Sequence, residues 1–322
     1  MNTGLLCAIG CFVIWGMFPL YWKQLDDVPA LQLALHRIVW SFVLLVIILT
    51  VFRQWTELYQ GMTWRIIGVY TLSTCCIFTN WYILVWAINA GYILETSLGN
   101  FINPLISVGF GVAIFMEKLH MWQWVSIALA AGGVLIVAIA YDKFPWIALT
   151  GAFTFALYGL LKKWAPLRPI HGLFLETAIL LPASMTYLVF AQAHGTGVFL
   201  RVSPLHDVLI VGGGIVTVVP LFLFSYAARR VPMSLLGVLA YIAPSVRFII
   251  GSLVYHEALS TFQLSGFILV WVALVIFTVQ GLAASRQESL TTDDTEATRV
   301  FALMLTPAKG DDVELQDAYD RA

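Results

Sequence analysis

The sequence predicts an all-α polytopic membrane protein with ten transmembrane helices, arranged as two inverted five-helix repeats. Three observations support this prediction. Of the 322 residues, 60% are hydrophobic and only 11% are charged, whereas soluble domains have about 25% charged residues. The apolar runs are long enough for membrane-crossing helices, which need ~20 residues. A segment of the first half also recurs in the second half at a fixed offset, which is the signature of an internal repeat.

The repeated segment runs from Phe101 to Leu129. Each copy has an apolar run with one proline, then a Glu-x-Leu turn, a Gln and a second apolar run. The following residues recur, identical and without a gap, 140 positions later: Ile102, Pro104, Gly111, Glu117, Leu119, Gln123 and Leu129 match Ile242, Pro244, Gly251, Glu257, Leu259, Gln263 and Leu269. We therefore predict two copies of one unit, residues 1–141 and 145–284.

Ten apolar spans follow one another with short connections and no inserted domain. They are Gly4–Trp22, Pro29–Phe52, Trp64–Asn89, Tyr92–Met116, Met121–Tyr141, Pro145–Leu161, His171–Gln192, His206–Ala228, Val231–Tyr255 and Phe262–Ala283. The first span lacks the basic segment of a cleaved signal peptide, so we expect it to remain. Residues 285–322 are rich in Ser, Thr, Asp and Glu, which predicts a disordered acidic tail on the cytoplasmic side.

The orientation of the spans follows from Lys and Arg in the loops, because cytoplasmic loops carry the excess of positive charge. With the N-terminus inside, nine such residues lie inside and three outside: Arg53, Arg65, Lys118, Lys162, Lys163, Arg168, Arg229, Arg230 and Arg286 against Lys23, Lys143 and Arg201. Both termini are therefore predicted to be cytoplasmic. Five helices per unit is an odd number, so the second copy enters the bilayer from the opposite face. Such inverted repeats let one central site face either side.

Charges inside the spans are the candidate functional groups, because each costs ~2.5–3.5 kcal/mol at a helix centre and usually faces a cavity or a partner. Four are predicted there: Arg37, Glu95, Glu176 and Arg247. Depth along the helices allows Arg37 to meet Glu95, whereas Glu176 and Arg247 lie too far apart in depth to pair. Arg247 is therefore the better candidate to contact a substrate or the outer region that contains Arg37 and Glu95. The alternatives are a snorkelling role for Arg37 and interfacial or helix-dipole roles for both glutamates.

Further polar and aromatic side chains complete the predicted site. His36 could relay protons or simply pack, Asn80 and Asn103 could line the interior or bond neighbouring helices, and Trp15 could stack on a flat ligand. Tyr241, which aligns with Phe101, belongs to the same set. The matched prolines, Pro104 and Pro244, are predicted hinges because each frees a backbone carbonyl, although ordinary kinks are the alternative. Glu117 and Glu257 are interpreted as turn and helix-start residues of the following spans.

Several functional classes lack their motifs in this sequence. No phosphate-binding Gly-x-x-x-x-Gly-Lys loop, complete zinc-protease motif or Gly-x-Ser-x-Gly elbow occurs, so neither ATP-driven pumping nor those hydrolytic mechanisms are indicated. The four cysteines lie within predicted helices and are interpreted as packing residues. We expect no metal and no cofactor. No basic, aromatic-rich patch indicates a nucleic-acid partner.

The repeated Pro and Glu-x-Leu pattern resembles the EamA domains of the drug/metabolite transporter superfamily. Several passages are similar to the RarD group, whose members are named as chloramphenicol-sensitive proteins. They are Val28-Pro29-Ala30, His36-Arg37-Ile38-Val39-Trp40-Ser41, Asn80-Trp81, Trp86-Ala87-Ile88-Asn89, Glu95 to Pro104, Tyr158-Gly159-Leu160, Gly172 to Thr177 and Tyr241-Ile242-Ala243-Pro244. EamA domains commonly have Gly before the junction Glu. Met116 and His256 stand there instead, which argues against a tight turn.

The resemblance implies a multi-pass carrier of the bacterial inner membrane. The first to fourth and sixth to ninth spans would surround a cavity, and the fifth and tenth would be peripheral or form a homodimer. Ala128 and Gly132 on the fifth span are spaced for close helix contact, within the chain or between copies. The resulting prediction is a secondary transporter that exports a small organic metabolite or drug by alternating access, with proton coupling through the intramembrane charges. The alternative is a membrane-embedded enzyme or a non-transporting scaffold.

Overall fold

The structure, a computed structural model, describes residues 3–90, 92–139, 144–256 and 264–280. Throughout these ranges the chain is helical and contains no strand, which confirms the predicted all-α class. The helices are α1 (Thr3–Trp22), α2 (Ala30–Val51), α3 (Trp55–Gln60), α4 (Trp64–Asn89), α5 (Ile93–Phe115), α6 (Met121–Ile139), α7 (Trp146–Trp164), α8 (Pro169–Ala193), α9 (Pro204–Ala228), α10 (Met233–Leu239), α11 (Ile242–Leu253) and α12 (Leu264–Gln280). The predicted tail and Glu257 lie outside the described residues.

Length and apolarity identify which helices can cross a membrane. Among the described residues, six segments are long and apolar enough: Thr3–Leu25, Ala30–Val51, Trp64–Ala87, Pro169–Ala193, Pro204–Ala228 and Met233–Leu253. They correspond to the predicted first, second, third, seventh, eighth and ninth spans. The fourth, fifth and tenth spans contain shorter apolar helices. The chain is therefore a multi-pass membrane protein, and the count of ten spans stays a prediction.

Helix α7 is longer than the predicted sixth span. The apolar run ends at Leu161, and Lys162 with Lys163 resembles the start of a cytoplasmic loop. The structure continues the helix to Trp164. Lys162 is therefore a helical residue, and it is buried among the neighbouring helices.

The predicted ninth span is broken into α10 and α11. Helix α10 ends at Leu239 and α11 begins at Ile242, so the break covers Ala240, four residues before Pro244. A proline ring clashes with the carbonyl of the residue four positions earlier, which favours a break here but does not require one, because Pro19, Pro104, Pro182 and Pro220 lie inside continuous helices. Pro104, the matched proline, lies inside the continuous helix α5. There the Tyr241 hydroxyl donates a hydrogen bond to the carbonyl of Phe101 at 3.0 Å.

The helix contacts come in matched pairs when the halves are compared. In the predicted repeat, α1 corresponds to α7, α4 to α9, and α5 to the span that contains α11. The contacts of α1 with α11 and α9 thus correspond to the contacts of α7 with α5 and α4. Glycines allow the first pair of contacts. A Cβ on Gly16 would lie 2.5 Å from Val246 Cβ, and one on Gly99 would lie 3.1 Å from the Ala148 carbonyl oxygen. Helices α2 and α8 also contact each other, as do α5 and α10.

Residues up to Val275 form one compact unit, and a second unit begins at Ile276, of which residues 276–280 are described as helical. Among the described residues, the largest hydrophobic cluster of the first unit has most of its buried side chains on α1, α7, α9 and α10. Phe224 contacts the rings of Phe12, Trp15, Phe155 and Tyr158, with centroid separations of 5.4–6.1 Å. These edge, tilted and stacked contacts fix the relative positions of α1, α7 and α9.

A tight turn does follow α5, contrary to the expectation from the absent glycine. Met116 has φ 51° and His256, its counterpart in the repeat, has φ 51° as well. The N–H groups of Met116 and Glu117 both donate to the carbonyl of Gly111. The left-handed conformation is therefore retained at both junctions without glycine.

Met116→Gly is expected to raise the thermal stability of the purified protein. The left-handed conformation costs a residue with a Cβ about 1 kcal/mol, and glycine removes this cost. The Met116 side chain is 76% exposed, so little packing is lost. Met116→Ala is the control: it keeps the strained conformation and should leave the melting temperature nearly unchanged. A lower melting temperature for Met116→Gly would contradict this account.

Candidate functional site

A cavity with a volume of about 190 Å³ lies between helices of both halves, and we call it the main cavity. The charged and polar side chains in its lining come from α2, α4, α5 and α11. Those side chains are Arg37, Asn80, Asn100, Asn103 and Arg247, and aromatic side chains in the lining are Phe12, Trp15, Phe18, Trp81 and Phe155. A mostly apolar and aromatic lining with a few polar groups is the general character of sites for small organic molecules.

Arg37 is held at the wall of the main cavity by one hydrogen bond and three rings. Its Nε donates to the Thr217 hydroxyl at 2.9 Å. Its guanidinium carbon lies 5.0 Å from the ring of Trp22 and 4.9 Å from that of Trp81, and 5.8 Å from that of Phe18. Cation–π contacts of this kind stabilise a guanidinium away from bulk water.

Arg247 reaches the same cavity from α11. Its Nε donates to the carbonyl of Trp15 at 3.3 Å. The preceding helix break and Pro244, which also lines the cavity, set the start of the segment that carries Arg247. The structure therefore brings together two arginines that are 210 positions apart in the sequence.

The uncharged polar residues of the predicted site also line the main cavity. Asn80 donates its side-chain amide to the carbonyl of Gly151 at 2.8 Å, and Asn103 accepts from the Ser107 hydroxyl at 3.1 Å. Both contacts orient an amide that still has further hydrogen-bonding groups. Trp15 lies in the lining and contacts Phe155 edge-on at 5.6 Å.

Aromatic rings of α1 and α7 that line the main cavity pack on a ring of α9. Phe12, Trp15 and Phe155 line the cavity, and the ring of Phe224 packs against all three. We call these four residues the aromatic floor. The ring of Tyr158 stacks on Phe224 at 5.9 Å with an interplanar angle of 10°.

A buried ion pair lies beyond the aromatic floor. Lys162 Nζ and Glu176 Oε1 are 2.7 Å apart, with side chains 2% and 6% exposed. Ser73 donates to Glu176 Oε1 at 2.6 Å, and the Tyr158 hydroxyl donates to Oε2 at 3.4 Å. Because Phe155, Tyr158 and Lys162 follow one another at helical spacing, one face of α7 leads from the main cavity to this pair.

A second, smaller cavity lies next to the ion pair. Its volume is about 20 Å³, and Glu176 and Tyr158 contribute to its lining. That volume is enough for about one water molecule. Ile77, Trp81 and Leu221 line both cavities, so the two are neighbours.

Two other carboxylates cap helices that are distant in the sequence. Glu95 accepts a hydrogen bond from the backbone N–H of Ile147 at 2.7 Å, at the start of α7. Glu117 accepts from the N–H groups of Met233 and Ser234 at 2.6 and 2.8 Å, at the start of α10. Free N–H groups and the helix dipole make these positions favourable for a carboxylate. Glu117 thus caps a helix of the other half, which differs from the local helix-start role predicted from the sequence.

The predicted site residues therefore divide into groups. Arg37, Asn80, Asn103, Trp15, Arg247 and Pro244 line the main cavity, and Glu176 lines the smaller one. His36 is buried against Phe199, and Tyr241 is buried beside α5. Arg37 and Glu95 have different partners in the contacts above, so their direct pairing stays a prediction.

Two residues of the buried ion-pair site, Lys162 and Ser73, were not predicted from the sequence. The position of Lys162 next to Lys163, at the end of an apolar run, indicated a loop. The helix spacing from Tyr158 is a signal that could have placed it on the inner face. Ser73 was missed because a lone serine in an apolar span has no distinctive pattern.

Helices long and apolar enough to cross a membrane surround this cavity, which defines the class as a multi-pass membrane protein. The chain matches the EamA-like transporter family twice, over residues 2–139 and 144–279. It belongs to this family of transporters.

Curated relatives are similar over most of their length. The chain is 40% identical to the uncharacterized transporter YojE of Bacillus subtilis, over 86% of the chain and 94% of the relative. It is 39% identical to protein RarD of Streptomyces exfoliatus, over 89% and 91%, and 36% identical to protein RarD of Escherichia coli, over 89% and 98%. These names fit a protein that moves solutes rather than one that catalyses a reaction.

A solved crystal structure shares the fold. It is 17% identical in sequence and superimposes with a TM-score of 0.64, over 86% of this chain and 97% of that one.

Loss of one member of the buried ion pair should destabilise the protein strongly. Glu176→Gln or Lys162→Met leaves an uncompensated buried charge, and each is expected to cost ~3–5 kcal/mol. The double variant Lys162→Met/Glu176→Gln removes both charges, so its loss of stability should be much smaller than the sum of the losses in the two single variants. The check is a double-variant cycle of thermal unfolding in detergent. Additive losses would show that the two side chains do not form a pair.

Proposed function

We propose that the protein is a secondary transporter that moves a small organic metabolite or drug out of the cell by alternating access. The main cavity is the observation that supports this most directly. It combines two arginines and several asparagines with aromatic walls, and it is set among apolar helices of both halves of the chain. A chamber of this kind holds a solute part of the way across a membrane.

The arrangement of closed and open parts supports alternating access. With the N-terminus inside, α7 runs from the outer face to the cytoplasmic face. The main cavity contacts the first part of α7, through residues such as Ala148 and Phe155, and Lys162 lies near its other end. Under this topology the outer half holds the cavity, whereas the aromatic floor and the buried ion pair close the inner half.

The matched helix contacts support the proposed inverted repeats. Each contact of α1 with α9 and α11 has a counterpart between α7 and α4 and between α7 and α5. The equal left-handed conformations at Met116 and His256 fall on equivalent positions of the two units. Rocking of two similar units about a shared site would expose the cavity to either face in turn.

In this proposal Arg37 and Arg247 set the charge preference for the substrate, with Glu95 helping to fix the start of α7. Glu176 is the candidate for coupling. To open the inner half, α4, α7 and α8 must separate where Ser73, Lys162 and Glu176 meet. Protonation of Glu176 would weaken its attraction to Lys162, so a proton could accompany each cycle. The bacterial inner membrane, cytoplasmic termini and a homodimer belong to the same proposal.

Arg247→Gln should reduce solute movement at least about tenfold, because a charge-assisted contact to the substrate is worth ~1.5–3 kcal/mol. Wild-type and variant proteoliposomes are incubated with a bacterial metabolite extract and chloramphenicol, and mass spectrometry records which solutes move. Arg65→Gln removes an exposed positive charge at the start of α4 and is the control, with transport unchanged.

Two results would contradict the proposal. Normal movement by the folded Arg247→Gln protein would exclude this residue from the substrate site. If the wild-type protein moved no solute but converted a membrane lipid, the enzyme alternative would be favoured.

A further inference from the structure

We propose that the main cavity binds a small organic anion of the carboxylate class, whose acidic group lies between Arg37 and Arg247. This inference rests on the proposed function and specifies the substrate of the same site. The apolar body of the anion would lie against the aromatic walls.

Both arginines are fixed on the same turn of α1. Arg247 donates to the carbonyl of Trp15, and Arg37 lies over the ring of Phe18. Trp15 and Phe18 are three residues apart, which corresponds to a rise of about 4.5 Å along a helix and places them on one face. Both guanidinium groups therefore contact residues of one turn of α1, and both line the main cavity.

The hydrogen-bonding pattern leaves the substrate-binding ends of both side chains available. Each Nε donates to a protein oxygen, of Thr217 and Trp15 respectively. Within the part of the chain that the structure describes, the terminal nitrogens of the two guanidinium groups make no hydrogen bond. Guanidinium groups recognise carboxylates in bidentate geometry through such paired N–H groups. The Nε contacts thus orient the two guanidinium groups and leave their terminal N–H groups available for a ligand.

The charge balance of the cavity favours a negative ligand. The described residues that line it include no Asp, Glu or Lys. Over the described ranges, no carboxylate lies within 4.0 Å of either guanidinium, and the acidic groups of the ion pairs contact Lys23, Lys162, Arg168 and His206 instead. Two positive charges that line one cavity and have no counterion among the described residues are costly in apolar surroundings. A bound anion would offset this cost, whereas a cationic ligand would add to it.

The remaining lining specifies the rest of the ligand. Asn103 accepts from Ser107 through its carbonyl oxygen, which leaves its NH₂ group as another donor for an anion. Trp15, Trp81 and Phe155 present apolar ring surfaces. With a volume of about 190 Å³, the cavity suits a compact molecule with one ring or a short chain rather than a lipid or a peptide.

The test is a thermal-shift titration of the purified full-length protein with matched sets of compounds. Each set contains a carboxylate, its carboxamide and the corresponding amine, for example benzoate, benzamide and benzylamine. Sodium chloride at equal ionic strength is the control for a simple anion. A ligand of the folded state raises the melting temperature in a concentration-dependent way. Each variant is compared with its own unliganded melting temperature, so a variant of lower stability still reports affinity.

The inference predicts that stabilisation is confined to carboxylates. Arg247→Gln and Arg37→Gln should each lower the affinity for the stabilising carboxylate about tenfold or more. Arg247→Lys should retain part of the affinity, because it keeps the charge but loses the planar fork, and Arg65→Gln should bind as the wild type does.

Equal stabilisation by the amine, the amide or chloride would overturn the inference, and so would the lack of stabilisation by every carboxylate in the sets. Movement of a neutral or cationic solute in proteoliposomes would also overturn it, yet would leave the proposed transport function intact. Absence of any transport would instead contradict the proposed function.

Discussion

The structure depends on one constraint: every charged side chain in apolar surroundings needs an ion-pair, hydrogen-bond or aromatic partner. Burial of an unpaired charge is strongly unfavourable, and the chain meets this cost in three ways. Glu176 pairs with Lys162, whereas Glu95 and Glu117 accept hydrogen bonds from helix N-termini. The two helix caps join residues that are 52 and 116 positions apart in the sequence. The guanidinium groups that line the main cavity are satisfied differently, by aromatic rings and single oxygens, and they retain capacity for a ligand.

Much of the fold could be predicted from the sequence because apolar runs and their lengths are local properties. Intramembrane arginines were also identifiable, because charge is rare within such runs. Lys162 was not identifiable, because it is buried by contacts with α4 and α8, and the local sequence does not indicate these contacts. The matched prolines have different outcomes, so the local residue alone does not determine the break between α10 and α11. Pro104 stays within a continuous helix, where the Tyr241 hydroxyl meets a nearby carbonyl.

The junction after α5 shows how tertiary contacts change the role of a local motif. The Glu-x-Leu pattern predicts a helix start, yet the Glu117 carboxylate caps α10 in the other half. This cap also depends on the turn that precedes it, in which Met116 adopts a left-handed conformation. Glycine would be favourable at that position, but the backbone bonds to Gly111 and the Glu117 cap hold the turn without it. The repeat therefore conserves a conformation where it does not conserve the residue.

The central claim is that two similar five-helix units lie in opposite orientation around one shared cavity. Single cysteines at Lys118 and His256, both exposed and one on each junction, test it most directly in a background without the four native cysteines. A membrane-impermeant maleimide is applied to right-side-out and to inside-out vesicles. The account predicts that the cysteine at 118 reacts from the cytoplasmic face and the one at 256 from the opposite face. Labelling of both from the same face would contradict it.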